Sequence, residues 1–283
     1  MLAPARALAR LARAAPRTGR AAASASAGAP STPPPLATRL AFLAVGDELL
    51  SGAVTDANTP WAAARLTARG ADVVEASFVR DDEQAIAATA GRLALTADAV
   101  VASGGVGPTH DDVTYTALAG RAGLARHAGT VRAMQESYGR RGVPLTEARL
   151  TMADLPAAAD EVLTTPGTWV PLVRVGKVYI LPGVPKLYRM ILAAHEGRFG
   201  GPLPSVATLL TRLGEGDVAM PLREVAGRHP GVKLGSYILD DGDAARVAGG
   251  FNVRLRASSR DPAALAAAVE DALGALACER EEA

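Results

Sequence analysis

A three-layer α/β fold with a mainly parallel sheet, followed by a small α+β subdomain, is what this sequence predicts, and three observations predict it. Short apolar runs alternate with helix-like segments from Leu40 to about residue 197, the pattern of a parallel sheet covered by helices on both faces. Glycine- and acid-rich connections follow three of those runs. Beyond the Gly/Pro-rich "FGGPLP" (199–204) the order changes to strand, helix, strand, strand, helix. With 283 residues, 49% of them hydrophobic, the chain has enough apolar material for one large domain plus a small one. The expected organisation is a leading segment over 1–39, an α/β domain over 40–200 and the subdomain over 205–278.

Each element has a local reason. "LAFLAVG" (40–46) is a buried parallel-type strand, and "TPWAAARLTARG" is a helix with Thr59 as N-cap, Pro60 at its start and Gly70 past its end. "ADVVEASFV" (71–79) is the next strand. In "DDEQAIAATAGRLAL" Asp81 and Gln84 take the two positions of a capping box. "DAVVAS" (98–103) feeds "SGGVGPTHDD" and a helix expected from about Asp111 to Ala122. Helices follow in "GTVRAMQESYGRR" and "TEARLTMADL", and "WVPLVRVGKVYILPG" holds two apolar runs about a Gly176-Lys177 turn. "VPKLYRMILAAHEG" is a further helix. The subdomain is read as strand 205–213, helix 217–228, strands 232–238 and 251–257, and helix 262–277.

The leading segment is unlike the rest. The first 46 residues hold six arginines and no acidic residue, and Arg6, Arg10, Arg13 and Arg17 share one helical face. A Ser/Ala tract and "STPPP" follow, and no apolar stretch is long enough for a secretory or membrane segment. The segment reads as an organelle transit peptide, mitochondrial first, with a plastid address or a cytoplasmic protein with a disordered tail as alternatives. Setting those six arginines aside from 30 basic residues leaves 24 against 29 acidic ones. An acidic protein with three lysines and no basic run is a poor partner for nucleic acid. The single cysteine, Cys278, excludes an internal disulfide and a cysteine-based zinc site.

The chemistry concentrates after the strands, where open parallel sheets bind ligands. Gly104, Gly105 and Gly107 would let backbone approach a phosphate closely, although the spacing matches neither the dinucleotide fingerprint nor a P-loop. The competing reading is a tight turn capped by Asp111. Asp47, Glu48, Asp56 and Asn58 crowd the first connection, and Asp81, Asp82 and Glu83 the second. Carboxylates repel phosphate unless a divalent cation joins them, so the cofactor expected is Mg²⁺ or another divalent cation, with Asp47, Asp111 and Asp112 as metal ligands. Asp82 or Asp112 would position water, and Asn58, Ser103 and Thr109 complete the binding set. His110 is expected to be an exposed loop residue rather than a base, and Trp61 and Trp169 to be packing residues, one of which could border a planar ligand. "LPGVPK" is a rigid turn or a pocket wall.

"GDELLSG…DAN", "DDEQAI", "SGGVGPTHDDVT" and "LPGVP" together resemble the molybdopterin-binding (MoaB/Mog-like) domain family over roughly 38–200. Within it the chain looks most like the amino-terminal domains of CinA and of eukaryotic FAD synthase, and "HPGVKLGSYI" and "FNVRLRASSRDPAALAAAVE" extend the similarity to about Leu276. The resemblance implies a MoaB/Mog-like fold, a pterin or nucleotide phosphate as ligand, and functional aspartates at Asp82 and Asp112. It puts the phosphate contacts on Gly104, Gly105, Gly107 and Thr109. It implies metal-dependent hydrolysis of FAD or ADP-ribose, with molybdopterin binding or adenylylation and a non-catalytic flavin- or nucleotide-binding module as alternatives, and it allows a homo-oligomer. "GTWVP" (167–171) and Leu187 depart from many bacterial members, which carry Gly-Thr-Ala-Pro-Gly and a Glu there, and this favours the FAD-synthase-like branch. No segment up to Ala283 resembles the PAPS-reductase-like domain that makes FAD in that family, so FAD synthesis is not expected.

Overall fold

Every residue from Leu40 to Val45 is buried, which a strand satisfies only in the middle of a sheet covered on both faces. The computed structural model, which describes residues 36–240, 243 and 249–281, places that strand, β1 (Arg39–Val45), second from the edge of a six-stranded sheet. The elements of this first unit are α1 (Asp47–Leu50), α2 (Thr59–Thr67), β2 (Asp72–Val79), α3 (Glu83–Thr96), β3 (Ala99–Ser103), α4 (Thr114–Ala119) and β4 (Leu124–Arg126). They continue with α5 (Ala128–Arg140), α6 (Glu147–Leu150), β5 (Asp154–Pro156), β6 (Glu161–Thr165), β7 (Thr168–Val175), β8 (Val178–Leu181) and α7 (Pro185–His195).

The sheet order is β2-β1-β3-β8-β7-β6, with β2, β1, β3 and β8 paired in parallel and β7 antiparallel to both its neighbours, β8 and β6. Strand periodicity sorts β1 between two cores. Ala41, Leu43 and Val45 pack with Ile86 and Leu93 of α3 and Leu118 of α4. Leu40 and Phe42 pack with Leu66 of α2 and Tyr188, Ile191 and Leu192 of α7. The result is the helix, sheet, helix layering expected of a mainly parallel α/β fold. The register places Val45 beside Val79, Ala44 beside Ser103 and Ser103 beside Leu181. Four connections therefore leave one edge of the sheet together.

The second unit, from Pro202 onward, has β9 (Ser205–Thr211), α8 (Glu215–Arg228), β10 (Lys233–Ile238), β11 (Val253–Ser259), α9 (Pro262–Ala275) and β12 (Cys278–Arg280). Its antiparallel sheet, ordered β10-β11-β9-β12, shares a core with the two helices through Leu209, Val218, Val225, Leu255 and Val269. Among the described residues no helix is long and apolar enough to cross a membrane. Of the presequence expected over 1–39, residues 1–35 lie outside those described, whereas Ala37 is buried and bridges Phe199 and Arg39 opens β1.

The structure departs from the expected elements in specific places. Asp82, not Asp81, caps α3, its Oδ1 accepting the Ala85 N–H at 2.8 Å. Asn58 rather than Thr59 precedes α2, and Asp56 Oδ1 accepts the N–H groups of both Asn58 and Thr59. The helix expected from Asp111 starts at Thr114, because Asp112 turns back into the loop before it. The helix expected over 146–155 stops early. Pro156 disfavours helical backbone at Leu155, and Asp154–Pro156 pairs with β4 instead. The subdomain continues past α9 into β12, which pairs with β9.

Candidate functional site

The four connections on the common edge enclose a cleft of about 550 Å³ that lies wholly within the first unit. Its size suits a small-molecule ligand. Asn58, Ser103, Gly104, Gly105, Gly107 and Thr109 all line it, as do Asp111 and Asp112.

The glycine loop is shaped by steric demand. Gly104 and Gly105 have φ of 101° and 63°, and a Cβ on Gly104 would meet the Val45 carbonyl while one on Gly105 would meet the Thr114 hydroxyl. The Thr114 hydroxyl donates to the Gly104 carbonyl at 2.8 Å and the Thr114 N–H to the Gly105 carbonyl at 2.9 Å, fixing the loop on α4. Asp112 closes the other end. Its carboxylate accepts the Gly107 N–H at 2.6 Å, the Thr109 N–H at 2.8 Å and the Thr109 hydroxyl. These bonds tie the carboxylate to its own loop. They also engage the Gly107 and Thr109 amides, and the Gly104 N–H donates to Leu181 O, so three of the amides that the sequence assigns to phosphate are occupied. Among the described residues the N–H groups of Gly105 and Val106 have no protein acceptor.

On the opposite wall, adjacent acidic residues take different roles. Asp47 points outward, its side chain 68% exposed and 3.8 Å from Arg80 Nε, whereas Glu48 lines the cleft. Asp81 lines the cleft and Asp82 does not, its carboxylate being the α3 cap. Asp81 Oδ2 accepts the Asp47 N–H at 2.9 Å. Burial pushes the Asp81 carboxyl above its ordinary range, against that hydrogen bond, and the charges of Glu48, Asp47 and Asp111 push it the same way. The sequence thus located both acidic loops but missed the facing residue by one position in each. At Asp81 the signal was present, because a helix phased by Ile86, Ala90 and Leu93 leaves Asp82 at its start.

Two further carboxylates complete the lining. Asp111 is exposed, and the Thr109 hydroxyl, its own backbone and His110 hold it below the usual range. Asp56, which the sequence noted without a role, lies between α1 and α2. Glu48, Asp56, Asp81, Asp111 and Asp112 are the charged residues of the lining, and no Lys, Arg or His is among them. No group of three or more His, Cys, Asp or Glu among the described residues is arranged to hold a metal unaided. Mg²⁺ needs only one or two carboxylates when a phosphate supplies further oxygens, so two of the lining carboxylates, Glu48 and Asp111, would suffice for it. Asp47 and Asp112, expected as ligands, are turned outward and held in the loop respectively.

The remaining walls are apolar. Pro182, Gly183, Val184 and Pro185 contribute to the lining, with Gly183 packed closely on Gly104, as do Met152, Trp169, Pro171 and Leu187. Trp169 therefore borders the cleft, whereas Trp61 packs edge-on to Tyr188 at 6.4 Å. His110 is exposed and outside the lining.

Comparison with known proteins gives this geometry a family. Residues 41–196 match the family described as "Probable molybdopterin binding domain", and residues 205–280 match "FAD synthase, middle domain". A CinA-like protein of Anaeromyxobacter sp. (strain K) is 37% identical over 174 residues, 58% of this chain and 42% of that protein, so the chain spans well under half of that relative. A relative from Pyrobaculum calidifontis, described only as "Protein", is 33% identical over 210 residues, 69% of this chain and 79% of its own length. The crystal structure of CinA, of unknown function, from Thermoplasma acidophilum is 31% identical with a TM-score of 0.50, covering 56% of this chain and 98% of that one. The chain belongs to the molybdopterin-binding (MoaB/Mog-like) domain family, here followed by an FAD synthase middle domain.

Proposed function

We propose that the chain is a metal-dependent hydrolase of nucleotide pyrophosphates, splitting FAD into FMN and AMP or acting on ADP-ribose, with Mg²⁺ or another divalent cation. One observation carries this reading: open backbone amides of a glycine loop share a cleft with five carboxylates and no cationic side chain. Two unit charges 4 Å apart interact by about 4 kcal/mol at an effective dielectric of 20, so a diphosphate alone would be repelled. A bound cation supplies charge neutralisation and polarises the phosphoryl group.

The chain's own residues then divide the work. The N–H groups of Gly105 and Val106 meet phosphate oxygens, and Asp112 keeps their loop in shape. Glu48 and Asp111 would hold the cation. Asp81 stands where the sequence assigned Asp82, and it orients a water. That water's oxygen attacks one phosphorus, the bond to the bridging oxygen breaks, and Asp81 takes the water proton. The match to the FAD synthase middle domain supports a flavin dinucleotide as the substrate.

The description of the first family favours a second reading, molybdopterin binding without pyrophosphate cleavage. Incubation of the chain with FAD or ADP-ribose, with and without Mg²⁺, separates the two. Metal-dependent AMP release is the expected result, reduced about a hundredfold or more by Asp111→Asn. Absence of AMP release together with tight pterin binding would favour the second reading, and binding of FAD without turnover a non-catalytic module.

A further inference from the structure

We propose that Asp56 and Asn58 form the base-recognition end of the cleft, taking the N–H edge of an amine-bearing planar heterocycle, an adenine or a pterin. The inference rests on the reading above and names the part of the ligand that reading leaves open.

The argument begins with the orientation of one amide. Asn58 is 6% exposed, and its Nδ2 donates to the Gly183 carbonyl at 2.7 Å. That bond fixes Oδ1 as the acceptor on the other side of the amide. Oδ1 is buried and has no donor. Two residues earlier, Asp56 Oδ1 accepts the backbone N–H groups of Asn58 and Thr59, at 2.9 and 3.2 Å, and Oδ2 is buried without a donor. Among the described residues three buried side-chain atoms lack a partner, and two of them are this pair. Folded proteins leave few such atoms, so two on one cleft point to a ligand that supplies donors.

The chemistry of the pair narrows the ligand. An amide oxygen and a carboxylate oxygen both accept only. Phosphates present acceptors and are refused. An isoalloxazine ring offers a single N–H flanked by carbonyl oxygens, which face the same two acceptors unfavourably. Adenine brings an exocyclic amine, and a pterin brings an amine beside a ring N–H. The largely exposed side chains of Val54 and Val184 line the same cleft and suit the faces of a planar ring. For a flavin dinucleotide, the adenine end enters here.

Calorimetric titration of the full chain in Mg²⁺ with AMP, purine riboside 5′-monophosphate, FMN and a pterin monophosphate tests this. AMP or the pterin is expected to bind at least about tenfold more tightly than the amine-less purine or FMN, and the stronger of the two identifies the source. Asp56→Asn, with its melting temperature checked, should reduce the preference to about twofold or less. Equal binding of AMP and the amine-less nucleotide would overturn the inference and leave the phosphate reading standing, which is also the outcome expected of a cation held by these oxygens. If none of the four binds, the phosphate reading falls and takes the inference with it. The titrations on the unsubstituted chain decide the matter even if the variant does not fold.

Discussion

Two walls of one cleft use the same residue type for opposite ends. On the glycine loop, Asp112 faces inward and binds two backbone N–H groups and a hydroxyl of its own loop. On the wall built by the connections after β1 and β2, Glu48 and Asp81 face the cleft, and Asp56 keeps one oxygen without a donor. A carboxylate surrounded by its own backbone donors stabilises a conformation, whereas one left among like charges raises the local potential and invites a cation. Acidic residues near a phosphate loop are therefore not interchangeable evidence for a metal. Their hydrogen-bond partners decide which they are.

The comparison breaks most easily on the glycine loop, where the largest effects are expected. Gly104→Ala puts a Cβ against the Val45 carbonyl at a φ of 101°, and neither backbone can retreat without disturbing β1. A loss of about 3 kcal/mol is expected from the clash and the disfavoured backbone together, read as a lower denaturation midpoint. Asp112→Ala comes next. Removing an acceptor of three bonds should cost about 2 kcal/mol, with ligand binding weakened as the loop loosens. Asp111→Ala, by contrast, should leave the denaturation midpoint nearly unchanged, because the residue is exposed, and should weaken metal-dependent binding. If Asp112→Ala left the midpoint unchanged and removed only turnover, the division between the two walls would be wrong.

Much of this architecture is legible in the sequence because it rests on periodicity. Six consecutive buried residues in β1 can only be a central strand, and the loops that follow buried parallel strands must share an edge. Three-residue strands carry no such signal. β5 was hidden inside an apparent helix, and β12 followed a helix without a pattern of its own. The site was legible to the level of the loop. Asp47 against Glu48, and Asp81 against Asp82, are neighbours of the same chemistry, and what separates them is where α1 and α3 begin. The inward turn of Asp112 needed the closed loop back to Gly107, a tertiary fact that spacing alone does not contain.

The smallest expected effect probes the less fully engaged wall directly. Asp81 is raised above its ordinary range, first by burial and then by Glu48, Asp47 and Asp111. A carboxyl with a raised folded pKa binds more protons in the native state than in the unfolded chain, so its contribution to stability falls as pH rises through the interval between the two values. Asp81→Asn removes that charge and keeps an oxygen able to accept the Asp47 N–H. The variant should match the parent in acid, where both are neutral, and exceed it near pH 7 by less than about 1 kcal/mol, since solvent screens a partly exposed group. Urea midpoints measured across that range would show a gain that grows with pH. Mg²⁺ should shrink the gain, because a cation beside Asp81 relieves the charge repulsion in the parent more than in the neutral variant. A loss of stability near neutral pH on Asp81→Asn would mean that Asp81 is satisfied as an anion by its own surroundings, as Asp112 is, and the two walls would no longer differ.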